Sequence, residues 1–304
     1  MLDWWNARSP MLKGTALMLA AVVFFSALLL LIRIVGQALP VVLVIVARQV
    51  VMQVLIVLQA GPEKSRTIFR TSNLKLQMWR AVLTLGATFA TYATFIHLPL
   101  ALASAISFST ALFVTIGAAL FLKEQVDWKT WTATIVGLLG VYIMLGPTEP
   151  GSLPWVMLAI VGAICSAATI LTVRVFDPNE SIETVLTYQG LLVLPVLIVP
   201  MLMTWQTPTP VEWLLLLAIG VLSTLGQWTF VSAYRYAEAA RLAPLDFLRL
   251  VLMAVAGLLF FDEQLHPMLL VGMLIVVATT LYTIRANAGF KAAIADDNTG
   301  KRDN

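Results

Sequence analysis

Apolar residues do not alternate with polar ones along this chain. They run on for a helix's length, stop at a short polar break and start again. A helical bilayer crossing needs about 20 apolar residues. Ten such runs stand at residues 13–33, 38–58, 76–97, 100–122, 129–146, 153–173, 184–203, 212–233, 241–261 and 266–285. The breaks between them hold Gly61-Pro62, Pro99, Gly146-Pro147, Pro150-Gly151, Pro178-Asn179, Pro208, Pro210 and Pro267, residue types that end helices and make turns. Helices apolar on every side are solvated by lipid or by one another. The first run is long and has no cleavage-site pattern, so it reads as a retained helix. The expected fold is an all-α membrane protein of ten transmembrane helices.

The pattern also repeats. GAALFLKEQV (117–126) returns as AGLLFFDEQL (256–265), an offset of 139 residues. Phe121, Glu124 and Gln125 fall on Phe260, Glu263 and Gln264, with six identities in the 26 positions from Ala101 to Val126. A repeat near half the chain length sets the architecture before any single motif does. Residues 13–146 hold five runs and 153–285 hold five more. An odd number of spans per half points the halves in opposite directions, so the expectation is two inverted five-helix repeats. Residues 286–304 are expected to be a disordered cytoplasmic tail.

Composition agrees with a bilayer. The 304 residues are 60% hydrophobic and 12% charged, about half the charge of soluble domains. The net charge of +3 would suit nucleic acid, but its placement argues otherwise. With the N-terminus in the cytoplasm, sixteen of nineteen basic residues fall on inside segments, from Arg8 and Lys13 through Arg80, Lys123 and Arg235 to Arg302. The outside loops carry Glu149, Glu212, Asp262 and Glu263, with Arg33 the lone cation near that side. Basic residues stay on the cytoplasmic side during insertion. The expected location is therefore the inner membrane, multi-pass, with both termini cytoplasmic. Trp4, Trp5, Trp128, Trp205 and Trp213 sit where interface anchors belong.

Candidate chemistry is sparse. No phosphate-cradling Gly-Lys-Ser/Thr loop, His-Glu-x-x-His, paired-cysteine or nucleophile-elbow motif occurs, so neither an ATP-driven pump nor an enzyme is expected. Cys165 is the single cysteine, which leaves no intrachain disulfide and no cysteine-rich metal site. No cofactor is called for. His97 and His266 read as helix-end residues. Charge inside a span is informative because it is expensive and faces a cavity or a partner. Arg48 lies in the middle of the second span, and Asp246 and Arg249 lie in the ninth at i, i+3. That spacing puts the pair on one helix face. It either locks helices together or lines a substrate cavity and exchanges partners, the second being the leading reading. The repeat sets Ser107 opposite Asp246 and Thr110 opposite Arg249. Pro244 frees a backbone carbonyl one turn earlier. Thr84, Thr88, Thr91 and Tyr92 thread the third span, and Ser223, Gln227, Trp228 and Tyr234 the eighth. Many of the hydroxyls read as interhelical glue. Asp246 is the one acid well inside a span, hence the candidate coupling group, trading its bond to Arg249 for a proton.

These residues resemble the EamA family of the drug/metabolite transporter superfamily. Arg48 and Arg80 carry the likeness, with residues 97–145 (HLPLALASAISFST through VGLLGVYIML) and 233–264 (AYRYAEAARLAPLDFLRL through FFDEQ). APLDFLRL, with Pro244, Asp246 and Arg249, is similar to a subgroup that holds riboflavin and S-adenosylmethionine carriers and exporters of amino-acid-derived compounds, opine-type metallophores included. The resemblance implies a basket of helices around a central cavity and secondary transport without ATP hydrolysis. The expected function is export of a small polar, amino-acid-derived metabolite, with a zwitterion's carboxylate on Arg249 or Arg48 and its amine on Asp246. The alternative is uptake of a cofactor-like solute, riboflavin or S-adenosylmethionine, with Tyr92, Trp228 and Phe247 stacking on a ring. A membrane enzyme or scaffold is the weakest reading, for want of a catalytic constellation. The expected partners are a small-molecule substrate and the lipid bilayer, not nucleic acid. Small residues such as Gly137 and Gly140 leave a homodimer open.

Overall fold

The computed structural model describes residues 10–65, 69, 71, 73–121, 123, 128–145, 151–173, 182–236, 245–246, 248–264 and 266–282. The tail 286–304, and with it the expectation of disorder there, lies outside the described residues, as do Glu124, Pro244 and Phe247; of Tyr234 only the helical backbone is described. Among the described residues every regular element is a helix. In chain order these are α1 (Pro10–Val35), α2 (Val41–Ser65), α3 (Leu74–His97), α4 (Leu100–Phe108), α5 (Thr110–Phe121), α6 (Trp128–Leu145), α7 (Leu153–Val173), α8 (Ile182–Met203), α9 (Pro210–Tyr236), α10 (Leu248–Phe260) and α11 (Pro267–Tyr282). Each expected span overlaps a helix. By length and hydropathy, six segments are sufficient to cross a membrane: Met11–Val35, Val41–Leu58, Leu100–Phe121, Leu153–Thr172, Glu183–Met203 and Pro210–Ala233. Leu248–Phe260 and Pro267–Tyr282 are shorter apolar helices.

The helix starts follow local chemistry. Asn73 caps α3 by accepting from the Leu76 N–H at 3.1 Å. At α9, Thr209 and Glu212 form a reciprocal capping box, Glu212 Oε2 accepting from Thr209 N at 2.7 Å and Thr209 Oγ1 from Glu212 N at 3.3 Å, with Pro210 at the first helical position. The fourth expected span departs from the continuous helix read from sequence. It divides at Ser109 into α4 and α5. The buried Ser109 donates its hydroxyl to the Ile106 carbonyl at 2.6 Å, and its N–H goes to the same carbonyl at 3.0 Å. That tight i→i−3 closure interrupts the helical ladder.

α4 is the centre of the fold. Eight of its nine residues are buried, and the alanines at 101, 103 and 105 let neighbours approach closely. The broadest helix contacts are α1 with α9 and α3 with α7. Both use missing side chains. A Cβ at Gly226 of α9 would stand 2.9 Å from the Phe25 ring of α1, and one at Gly162 of α7 would stand 2.7 Å from Ala90 Cβ of α3. Lipid is as apolar as a helix face, so contact area and close fit hold such helices together. Two turns repeat as well. Lys123 after α5 and Asp262 after α10 both take φ of 52°, a left-handed backbone that is uncommon outside glycine. They stand 139 residues apart, at equivalent places in the two copies of the repeat.

The close approach of α9 to α2 lends itself to a test. A Cβ at Gly220 of α9 would fall 2.4 Å from Val51 Cβ of α2, whereas one at Gly86 meets only Cys165 Sγ at 3.5 Å. Gly220→Ala should therefore cost about 1–3 kcal/mol through overpacking, and Gly86→Ala should not. Thermal unfolding of the two purified variants in detergent compares them directly.

Candidate functional site

Three groups of polar side chains lie inside the bundle. The first joins α2, α3 and α9. Arg48 is 8% exposed and donates Nε–H to Ser223 Oγ at 2.7 Å. Its guanidinium lies 5.7 Å from the centroid of the Tyr92 ring, within cation–π range. Tyr92 is buried and its hydroxyl has no protein partner. Burying a guanidinium costs several kcal/mol unless its donors are met, so one hydroxyl and a ring face leave it capacity for a ligand.

The second group joins α10 to α4. Arg249 donates to Asp246 Oδ2 at 3.2 Å, each side chain being 23% exposed. The guanidinium also lies 5.1 Å from the Phe108 ring centroid. Asp246 Oδ1 is buried without a partner, so the pair is incomplete on its acceptor side. The third group lies where α4 divides. Thr91 and Thr94 of α3, Ser107 and Thr110 at the break, and Ala159, Ala163 and Ser166 of α7 line a cavity of about 30 Å³. Such a space holds a water rather than a metabolite. Ser107 spends its hydroxyl proton on the Ala103 carbonyl at 2.8 Å, while Thr94 Oγ1 is unpartnered.

The structure thus brings Ser107 and Thr110 to one cavity, Asp246 to Arg249, and Arg48 to Tyr92. It does not bring Trp228 to them. Trp228 is 53% exposed on a stripe with Leu214, Leu217 and Leu225, because steps of three and four residues return to the outer face of α9. Gln227 is half-buried on the adjoining face, and Phe247 is outside the described residues. No cluster of metal-ligating side chains occurs among the described residues.

Sequence reasoning missed one group. Glu263 was expected in an outside loop and Arg33 near the same side, with no contact foreseen between them. The Glu263 side chain is only 8% exposed. It accepts from Leu100 N at 2.7 Å and lies 3.7 Å from Arg33. Arg33 donates to the carbonyls of Phe95 at 3.2 Å, of Leu98 at 3.0 Å, and of Ile96. These are the last carbonyls of α3 and the first N–H of α4. The repeat of Glu124 and Glu263 was the one available signal, since loop acids seldom need repeating.

A domain described as the EamA-like transporter family matches residues 153–285. The chain is 31% identical to the S-adenosylmethionine uptake transporter of Rickettsia bellii over 72% of this chain and 75% of that one. It is 32% identical to the riboflavin transporter of Vibrio cholerae over 59% of this chain and 60% of that one. It is 26% identical to the pseudopaline exporter CntI of Pseudomonas aeruginosa over 91% of this chain and 98% of that one. A solved crystal structure superposes with a TM-score of 0.64 at 17% identity, covering 90% of this chain and 98% of the other.

Burial pushes the Glu263 carboxyl above the ordinary glutamate range, a shift that the Leu100 N–H, the Arg33 charge and the Ala101 N–H offset only in part. A carboxyl held above its unfolded value stabilises the fold at low pH, and that contribution fades as pH rises through the folded value. The melting temperature in detergent should therefore fall as pH climbs from the ordinary carboxylate range through the raised one. Glu263→Gln should flatten that step and leave the rest of the profile in place.

Proposed function

Since the chain belongs to the EamA-like transporter family, we propose that it is an inner-membrane secondary transporter that exports a small polar, amino-acid-derived metabolite, an opine-type metallophore being a candidate. The observation that carries this reading is the incomplete pair Asp246–Arg249. Its free Oδ1 suits a substrate ammonium, and Arg249 or Arg48 suits a carboxylate. Ser107, Thr110, Tyr92 and Gln227 supply neutral contacts. The near end-to-end match to an exporter supports the direction.

Uptake of a cofactor-like solute is the second reading, favoured by the relatives named for S-adenosylmethionine and riboflavin uptake. Its ring-stacking set fares less well: Trp228 faces outward, and Tyr92 is already engaged by Arg48. Flux in vesicles decides between them. Accumulation of labelled amino-acid-derived zwitterions in inside-out vesicles supports export, and rescue of an auxotroph at limiting vitamin supports uptake. No flux for either class from folded protein overturns both.

The architecture proposed is two inverted repeats, 13–146 and 153–285. Supporting it, α1 pairs with α9 and α3 with α7, and each pair maps onto the other when the first span is exchanged with the sixth and the third with the eighth. The φ values of Lys123 and Asp262 agree with the same relation. An inverted pair of halves lets one open inward as the other opens outward.

Two predictions follow from this reading. Periplasm-active reporters fused after Glu149 and Thr207 should be active and those after Pro62 and Asn298 silent; activity at Asn298 would contradict cytoplasmic termini. If Asp246 couples transport to protons, Asp246→Asn should abolish uphill transport and spare downhill exchange. A folded Asp246→Asn protein that still concentrates substrate in response to a pH gradient removes Asp246 as the coupling group.

A further inference from the structure

The corner between α3 and α4 carries more electrostatic structure than a turn requires. The chain reverses at Leu98 and Pro99, leaving the last carbonyls of α3 and the first N–H groups of α4 without intrahelical partners. Pro99 contributes no side-chain cap. The partners come from elsewhere. Arg33, near the end of α1, takes the carbonyls of Phe95, Ile96 and Leu98, and Glu263, just past α10, takes the Leu100 N–H. A cation therefore meets the negative end of one helix and an anion the positive end of the next. The two side chains face each other at 3.7 Å, and the Phe261 ring lies 5.4 Å from the Arg33 guanidinium. Asp262, in the same turn, and His97, stacked on Trp155 at 3.7 Å, are the other titratable groups beside this node among the described residues.

Gly257 makes room for it. A Cβ there would stand 2.3 Å from Glu263 Oε2, the oxygen that caps α4. Glu263 N in turn donates to the Gly257 carbonyl at 3.0 Å, and Asp262 takes its left-handed φ to bring the chain round. α4 and α10 then run side by side in opposite directions. Glu263 ties them at one end, through Leu100, and Arg249 meets Phe108 at the other. The far end of α4 is the Ser109 break, beside the cavity of Thr91, Thr94, Ser107 and Thr110.

We propose that Arg33 and Glu263 form a gate latch: they close the mouth of the bundle at the α3–α4 corner, and their separation lets α4 and α10 swing together, opening the site to the face on which Glu263 lies. The inference rests on the transporter reading and assigns the gate, with Glu263 and Arg33 as positioning residues. Its physical basis is bistability. Buried inside the protein, the orphan backbone groups of the corner must stay bound to these two side chains. Once released, they need water. The corner is therefore either latched and dry or unlatched and wet, with no stable halfway arrangement.

Cysteine accessibility tests the latch without a known substrate. In a Cys165→Ala background, Ser104→Cys places a thiol on buried α4. A membrane-impermeant maleimide is added to vesicles of either orientation, and His266→Cys, in the exposed segment after Glu263, reports which side the latch faces. Glu263→Ala should raise labelling of Ser104→Cys about tenfold from the His266 side alone. Gly257→Ala, which displaces the carboxylate, should do the same. Glu263→Gln retains an oxygen for the Leu100 N–H and should raise labelling less than about threefold. No rise with Glu263→Ala overturns the latch, as does a rise from both sides, the mark of general loosening, or Glu263→Gln opening as far as Glu263→Ala. If His266→Cys labels only from the cytoplasmic side, the proposed topology fails, and the latch is still judged on the side His266 reports.

Discussion

A backbone polar group buried away from water needs a partner, and the α3–α4 corner meets that constraint with two side chains from distant helices. Three carbonyls and the opening N–H groups of α4 lie together where the chain reverses. They are satisfied by Arg33 and Glu263, 62 to 65 and 163 residues away from their partners in sequence. The same two contacts fix α4, the most deeply buried helix, between α3, α7 and α10. Once α4 is set, Phe108 is set beneath Arg249, and the break at Ser109 is set beside α3 and α7. Two of the three polar groups thus border the helix that this corner holds.

The interior itself is divided. Arg48 with Tyr92 and Ser223 lies on one side of α3, and the cavity of Thr91 and Thr94 lies on another. α4 carries the contact onward to Asp246 and Arg249. None of the three groups is saturated, since the Tyr92 hydroxyl, Thr94 Oγ1 and Asp246 Oδ1 are buried without partners. A protein needing only to hold helices together would be more stable with such atoms paired or replaced by methyl groups. The cavity, about 30 Å³, has room for a water and not for a metabolite.

Much of this was legible in the sequence. Twenty-residue apolar runs dictate helices because no other open element satisfies its backbone in lipid. The capping box of Thr209 and Glu212 is local, so it can be read from four consecutive residues. The i, i+3 spacing of Asp246 and Arg249 placed them together for the same reason, helix geometry being fixed over one turn. The repeat of Lys123 and Asp262 was visible as spacing before it was visible as a shared backbone angle.

The tertiary structure decided the rest, wherever a residue's role depends on a distant neighbour. Trp228 faces outward because α1 and α2 claim the opposite face of α9, and no count of aromatic residues reveals which face is taken. The division of α4 from α5 depends on a serine hydroxyl choosing a carbonyl three residues back, an option open to every serine in a helix. Glu263 looked like a loop acid because its position is just past a helix. Only the fold puts the unpaired N–H of Leu100 within 2.7 Å of it, and an unmet donor buried away from water is what turns an exposed-looking carboxylate into a buried cap.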